Sequence, residues 1–80
     1  MSERTRATVS VTGVVQGVGF RPFVYRTAIE NDLAGRVKNT GDGRVEIVLE
    51  GPKTGIESFL STLRTDPPPL ARLEGVTVED

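Results

Sequence analysis

The 80-residue sequence contains no cysteine and no histidine. Without cysteine the chain has no disulfide, no thiolate nucleophile and no thiolate metal ligand. Without histidine it lacks the most common general base and the most common zinc ligand in proteins. Any chemistry that the chain performs must therefore proceed without sulfur, without imidazole and without an obvious metal, and we expect no cofactor.

Long apolar runs are also absent. No stretch approaches the roughly 20 apolar residues that a membrane span needs, and residues 1–6 lack the apolar block of a signal peptide. We therefore expect a cytoplasmic protein without a membrane partner. Lys and Arg number 10 against 11 Asp and Glu, a balance that does not favour nucleic-acid binding, because such binding usually needs a clustered positive surface. A small anion bound at one site is compatible with this balance.

Length and composition indicate one domain over residues 1–80. A chain of this size buries only about 60% of the surface that its unfolded form exposes. Its hydrophobic content of 36% and charged content of 26% are typical of a globular protein rather than a disordered one. We expect it to be a monomer.

Apolar periodicity predicts four strands and two helices. Alternation predicts strands over residues 7–12, 36–40, 44–50 and 73–79, with the inward positions Ala7, Val9, Val11, Val45, Ile47, Leu49, Val76 and Val78. A helix is predicted over 22–32, with Pro22 as its first residue. Thr54 and Glu57 have the spacing of a capping box and predict the start of a second helix, which ends before Pro67.

The predicted order of elements is βαββαβ. Gly41-Asp42-Gly43 indicates a hairpin between the second and third strands. Two helices on one face of a four-stranded antiparallel sheet, with right-handed crossovers, form a ferredoxin-like α+β sandwich.

The loop between the first strand and the first helix carries the best candidate site. Residues 13–19 are rich in glycine, and Gly17 and Gly19 would permit the positive φ angles that let several backbone N–H groups converge on an anion. Arg21 then supplies a planar cation that can grip two phosphate oxygens. Such glycines are often only a tight turn, and Arg21 alone could be a surface residue. Their joint position at a helix start favours a phosphate site.

Two motifs resemble the signatures of the acylphosphatase family over nearly the whole chain. Residues 13–21 (GVVQGVGFR) resemble the first signature, G-x-V-Q-G-V-x-F-R, and residues 37–43 resemble the second, V-x-N-x-x-x-G. The resemblance implies an acyl phosphate hydrolase in which Arg21 binds the substrate phosphate and Asn39 orients the attacking water. It also implies that the phosphate cradle is the backbone of Gln16, Gly17, Val18, Gly19 and Phe20.

Asn39 taken alone would also fit a turn residue, because asparagine tolerates unusual backbone angles. Its pairing with the first motif favours a catalytic role. Thr40 is expected either to hydrogen-bond and orient Asn39 or simply to occupy a strand edge.

A narrower resemblance concerns residues 21–26 (RPFVYR) and 68–73 (PPLARL). These resemble the N-terminal acylphosphatase domain of the carbamoyltransferases that mature [NiFe]-hydrogenases. The resemblance implies one domain of a larger protein that handles carbamoyl phosphate. The sequence ends at Asp80, before the short final strand that most family members carry, which is consistent with an excised domain.

Other functions of the same fold fit the sequence poorly. An RNA-recognition module would need aromatic residues in strands 1 and 3, and neither strand contains one. A copper chaperone would need thiolate ligands. The open alternative is a module that binds phosphate or carbamoyl phosphate without hydrolysing it.

Overall fold

A computed structural model describes residues 4–15, 17 and 19–79. Six elements follow one another along the chain: β1 (Arg4–Val14), α1 (Phe20–Glu30), β2 (Ala34–Asn39), β3 (Val45–Pro52), α2 (Lys53–Thr65) and β4 (Arg72–Glu79). The strands form one antiparallel sheet in the order β2-β3-β1-β4. The predicted βαββαβ ferredoxin-like fold is confirmed.

The core lies between the two helices and one face of the sheet. Every predicted inward position of the two central strands is buried: Ala7, Val9 and Val11 in β1, and Val45, Ile47 and Leu49 in β3. The helices contribute Phe20, Phe23, Val24, Ile56, Phe59 and Leu63. In β4, Val76 and Val78 pair with Val11 and Val9 and so face the same side. Alternation therefore predicted correctly which face of β1 and β3 packs inward, and Val76 of β4 packs against the same core.

The first helix begins two residues earlier than predicted. Its first residue is Phe20, and Pro22 is the third residue rather than the first. Proline is tolerated there because the first four N–H groups of a helix have no intrahelical acceptor. The early start places Arg21 within the first turn.

The predicted capping box at Thr54 and Glu57 is wrong. The second helix begins at Lys53, its N-cap is Pro52, and within residues 4–15, 17 and 19–79 no side chain caps this end. Thr54 is therefore already helical and cannot act as the cap. The apolar spacing that predicted the helix itself is confirmed, since Ile56, Phe59 and Leu63 are buried.

Within the described part of the chain, no helix has the length and apolar character required to cross a bilayer.

Candidate functional site

The loop after β1 turns through two glycines in the left-handed region. Gly17 has φ 70° and Gly19 has φ 79°, as the sequence predicted. An L side chain is disfavoured at such angles, whereas glycine adopts them without a steric cost. Gln16 and Val18, which were also predicted to form the cradle, lie outside the described residues.

The amino-terminal end of α1 is open to an anion. Gly19 is the N-cap, no side chain of the described residues hydrogen-bonds to this end of the helix, and the first turn contains no acidic residue. The first N–H groups of a helix point outward along its axis and carry partial positive charge. A phosphate at this end would therefore receive both hydrogen bonds and favourable electrostatics.

Phe20 and Arg21, the first two residues of α1, differ in burial. The Phe20 side chain is buried and its ring centroid lies 6.1 Å from that of Phe23, so it anchors the first turn in the core. The Arg21 side chain is exposed. A buried anchor next to an exposed cation leaves the guanidinium free to meet an anion while the backbone of the turn stays fixed.

Asn39 reaches the same end of the molecule from the sheet. It is the last residue of β2 and pairs with Val45, the first residue of β3. Directly opposed residues of an antiparallel pair share one face of the sheet, and Val45 is buried on the face that the helices cover. Asn39 therefore lies on the α1 side.

One cavity brings the two motifs together. Its volume is about 350 Å³. The residues that line it are Val15, Gly17, Gly19, Phe20, Arg21, Pro22, Val37, Asn39 and Val45. Of the predicted site residues that the structure describes, only Thr40 does not line this cavity. A separate groove of about 280 Å³ between α1 and β2 contains none of them.

The Thr40 hydroxyl is used within the β2–β3 turn. It donates a hydrogen bond to the Asp42 carboxylate and lies 3.2 Å from the carbonyl oxygen of Arg44. The predicted hydrogen bond from Thr40 to Asn39 is not among the contacts of the described residues. Thr40 is committed to the turn because Asp42, two residues on, offers a stronger, charged acceptor.

Asp42 accepts hydrogen bonds from both sides of that turn. The Arg44 N–H lies 3.3 Å from Oδ1, and the Arg44 guanidinium lies 3.1 Å from Oδ2. The hydrogen bond from Thr40, followed by that from Arg44, lowers the pKa of Asp42 from its ordinary value of 3.8 to about 2. This network was not predicted from the sequence, although Asp in a turn commonly hydrogen-bonds the backbone two residues on.

No group of three or more candidate metal-ligating side chains is found among residues 4–15, 17 and 19–79.

Comparisons with known proteins agree with this geometry. The family model for acylphosphatase matches residues 7–80. An acylphosphatase from Syntrophotalea carbinolica is 47% identical over 74 residues, covering 92% of this chain and 79% of that protein. The crystal structure of acylphosphatase from Bacillus subtilis matches with a TM-score of 0.88 at 40% identity, covering 96% of this chain and 83% of that one.

A much longer protein is also similar. The probable carbamoyltransferase HypF of Methanocaldococcus jannaschii is 47% identical over 77 residues. The match covers 96% of this chain but only 10% of the carbamoyltransferase. The chain thus spans about a tenth of that relative's length.

Proposed function

The chain belongs to the acylphosphatase family, and on this basis we propose that it hydrolyses acyl phosphates to a carboxylate and inorganic phosphate in the cavity that Arg21 and Asn39 line. The observation that carries the proposal is that Arg21 and Asn39, one from each motif, line this single cavity. The matched acylphosphatases are similar over most of their own length as well as of this chain, which supports assigning the activity to the domain itself.

Arg21 and the loop hold the substrate phosphate in this proposal. The guanidinium forms a bidentate contact with two phosphate oxygens, and the N–H groups at the start of α1 contact the third. The N–H groups at the start of α1 are fixed by the helix before the substrate arrives. They therefore stabilise the charge on the equatorial oxygens of the transition state without a cost of reorganisation.

Asn39 orients the nucleophile. Its amide accepts a hydrogen bond from a water and holds that water in line with the phosphorus–oxygen bond of the acyl leaving group. The water oxygen bonds to phosphorus, the bond to the acyl oxygen breaks, and the electron pair leaves with the carboxylate. The proton of the water passes to a phosphate oxygen of the substrate itself.

The chemistry requires little from the protein. A carboxylic acid has a pKa of about 4, so the carboxylate departs without being protonated by a general acid. Phosphoryl transfer depends mainly on positioning and on charge stabilisation. A site that offers one arginine, one amide and a set of backbone N–H groups supplies both.

A second candidate function is favoured by the similarity to the carbamoyltransferase. In that case the cavity would bind phosphate or carbamoyl phosphate for a larger protein and would not hydrolyse it. The 47% identity over 77 residues of the long relative is the observation that supports it. This chain would then act as one module among several.

Hydrolysis of benzoyl phosphate and carbamoyl phosphate in EDTA tests the proposal. Wild type is compared with Arg21→Ala and Arg21→Lys, and Arg26→Ala serves as the control because Arg26 is also exposed on α1 but does not line the cavity. We expect metal-independent turnover by wild type and by the control. If neither wild type nor Arg26→Ala turns over substrate although both are folded, the hydrolase proposal fails and the binding module is the remaining function.

A further inference from the structure

Asp42 does not line the cavity, but it contacts Thr40 and Arg44 in the turn between β2 and β3. Asn39 pairs with Val45 as the last rung. Thr40 follows Asn39, and Arg44 precedes Val45. Asp42 therefore acts on the two chain segments that deliver Asn39 to the site.

The connection itself has few other constraints. Residues 41–44 are exposed, and Gly41 and Gly43 contribute no side chain that could pack. Apart from the Asp42 contacts, the turn is closed at the Arg44 carbonyl oxygen, which lies 3.1 Å from the Thr40 backbone nitrogen and 3.2 Å from the Thr40 hydroxyl. Glycine increases the number of conformations open to such a segment. The end of β2 would therefore fray easily without further hydrogen bonds across the turn.

The Asp42 carboxylate accepts these further hydrogen bonds. It accepts the Thr40 hydroxyl on one side and the Arg44 backbone N–H and guanidinium on the other. All three groups belong to Thr40 or Arg44, which directly adjoin the Asn39–Val45 pair, and each hydrogen bond is charge-assisted. The carboxylate thus links the chain leaving β2 to the chain entering β3.

We propose that Asp42 is a positioning residue, which fixes the Asn39 amide by tying Thr40 to Arg44 across the turn. The inference rests on the proposed function, since Asn39 must orient the attacking water for its position to affect turnover. Asp42 itself touches neither the phosphate nor the water. Its effect therefore falls on the rate of the chemical step and not on phosphate affinity.

The experiment compares Asp42→Ala and Asp42→Asn with wild type and with Glu50→Ala. Asparagine still accepts hydrogen bonds from Thr40 and from the Arg44 N–H but does not carry the charge. Glu50→Ala removes the same charge from an exposed position further along β3. For each protein we would measure kcat on benzoyl phosphate, the inhibition constant of inorganic phosphate, and hydrogen exchange at the Thr40 amide.

Asp42→Ala should lower kcat about 10-fold, within the range that a small misplacement of a reacting group produces. The phosphate inhibition constant should stay within about twofold of wild type, and the Thr40 amide should exchange faster. Asp42→Asn should recover most of the rate, because its amide oxygen still accepts hydrogen bonds from the Thr40 hydroxyl and the Arg44 N–H. Glu50→Ala should behave as wild type in all three measurements.

The two proposals fail in different ways. Unchanged kcat in Asp42→Ala, alongside loss of turnover in Asn39→Ala, would overturn the positioning role and leave the hydrolase intact. Equal losses in kcat and phosphate affinity would also overturn it, because they would indicate general disruption of the site. No turnover by the folded wild type would remove the hydrolase proposal and this inference with it.

Discussion

Arg21 and Asn39 line one cavity, although most of α1 and β2 separates them along the chain. The helix runs away from the loop, and β2 returns beside it after a short turn at Asn31–Leu33. The start of the helix and the end of the strand therefore meet at one end of the molecule. The fold brings a cation and an amide together at the site of an open helix terminus.

This arrangement predicts different consequences for two substitutions at Arg21. Arg21→Ala removes the cation and should lower kcat/KM by about 100-fold or more, because removal of one contact that stabilises transition-state charge commonly costs this much. Arg21→Lys keeps the charge but not the planar fork, so it should recover only a part of the loss. Steady-state kinetics on benzoyl phosphate measures both. Full activity in the lysine variant would show that bidentate geometry is not required.

The positive φ angle at Gly19 predicts that Gly19→Ala binds phosphate more weakly than wild type. Gly19→Ala places a Cβ in open space, so the penalty is conformational and amounts to about 1 kcal/mol in the left-handed region. Relief of that strain would turn the first N–H groups of α1 away from the anion. Isothermal titration with inorganic phosphate should show weaker binding.

Gly41→Ala is the matched control for this change. Gly41 has φ 88° and is also surrounded by open space, so the same strain is introduced away from the phosphate loop. We expect a similar loss of stability with phosphate affinity preserved. Equal affinity losses in the two variants would contradict a specific role for the Gly19 backbone.

The lowered pKa of Asp42 predicts a dependence of stability on pH. Because folding lowers this pKa from 3.8 to about 2, the folded state favours the carboxylate, and the stabilisation is complete above the unfolded value. It is lost as the pH falls from about 4 towards 2. The difference in urea midpoint between wild type and Asp42→Asn should therefore shrink over this range. A difference that stays constant down to pH 2 would show that the charge of Asp42 does not stabilise the fold.

Much of the fold could be predicted because strand alternation reports burial directly. Val9 and Ile47 were assigned to the inward face from sequence, and both are fully buried. Helix starts were less predictable, since they depend on the exact end of the preceding segment. Pro22 was placed first in α1 but lies third, and Thr54 was expected to cap a helix that begins one residue earlier.

The candidate site residues of the two motifs could be proposed from the sequence, but their surroundings could not. The resemblance of the two motifs to the acylphosphatase signatures pointed to Arg21 and Asn39, which line one cavity. The contacts of Thr40 depend on a competition between two acceptors, Asn39 and Asp42, that only the turn geometry decides. The charge of Asp42 and its position two residues from Thr40 determine the outcome.

Turnover and phosphate affinity in Asn39→Ala together test the central claim most directly. Lys38→Ala is the control, since Lys38 is the adjacent residue of β2, is exposed, and pairs with Glu46 away from the cavity. We predict that Asn39→Ala loses kcat on benzoyl phosphate by about 100-fold or more, as expected for a group that positions the nucleophile, while it binds inorganic phosphate as wild type does. Undiminished turnover in Asn39→Ala would contradict the account.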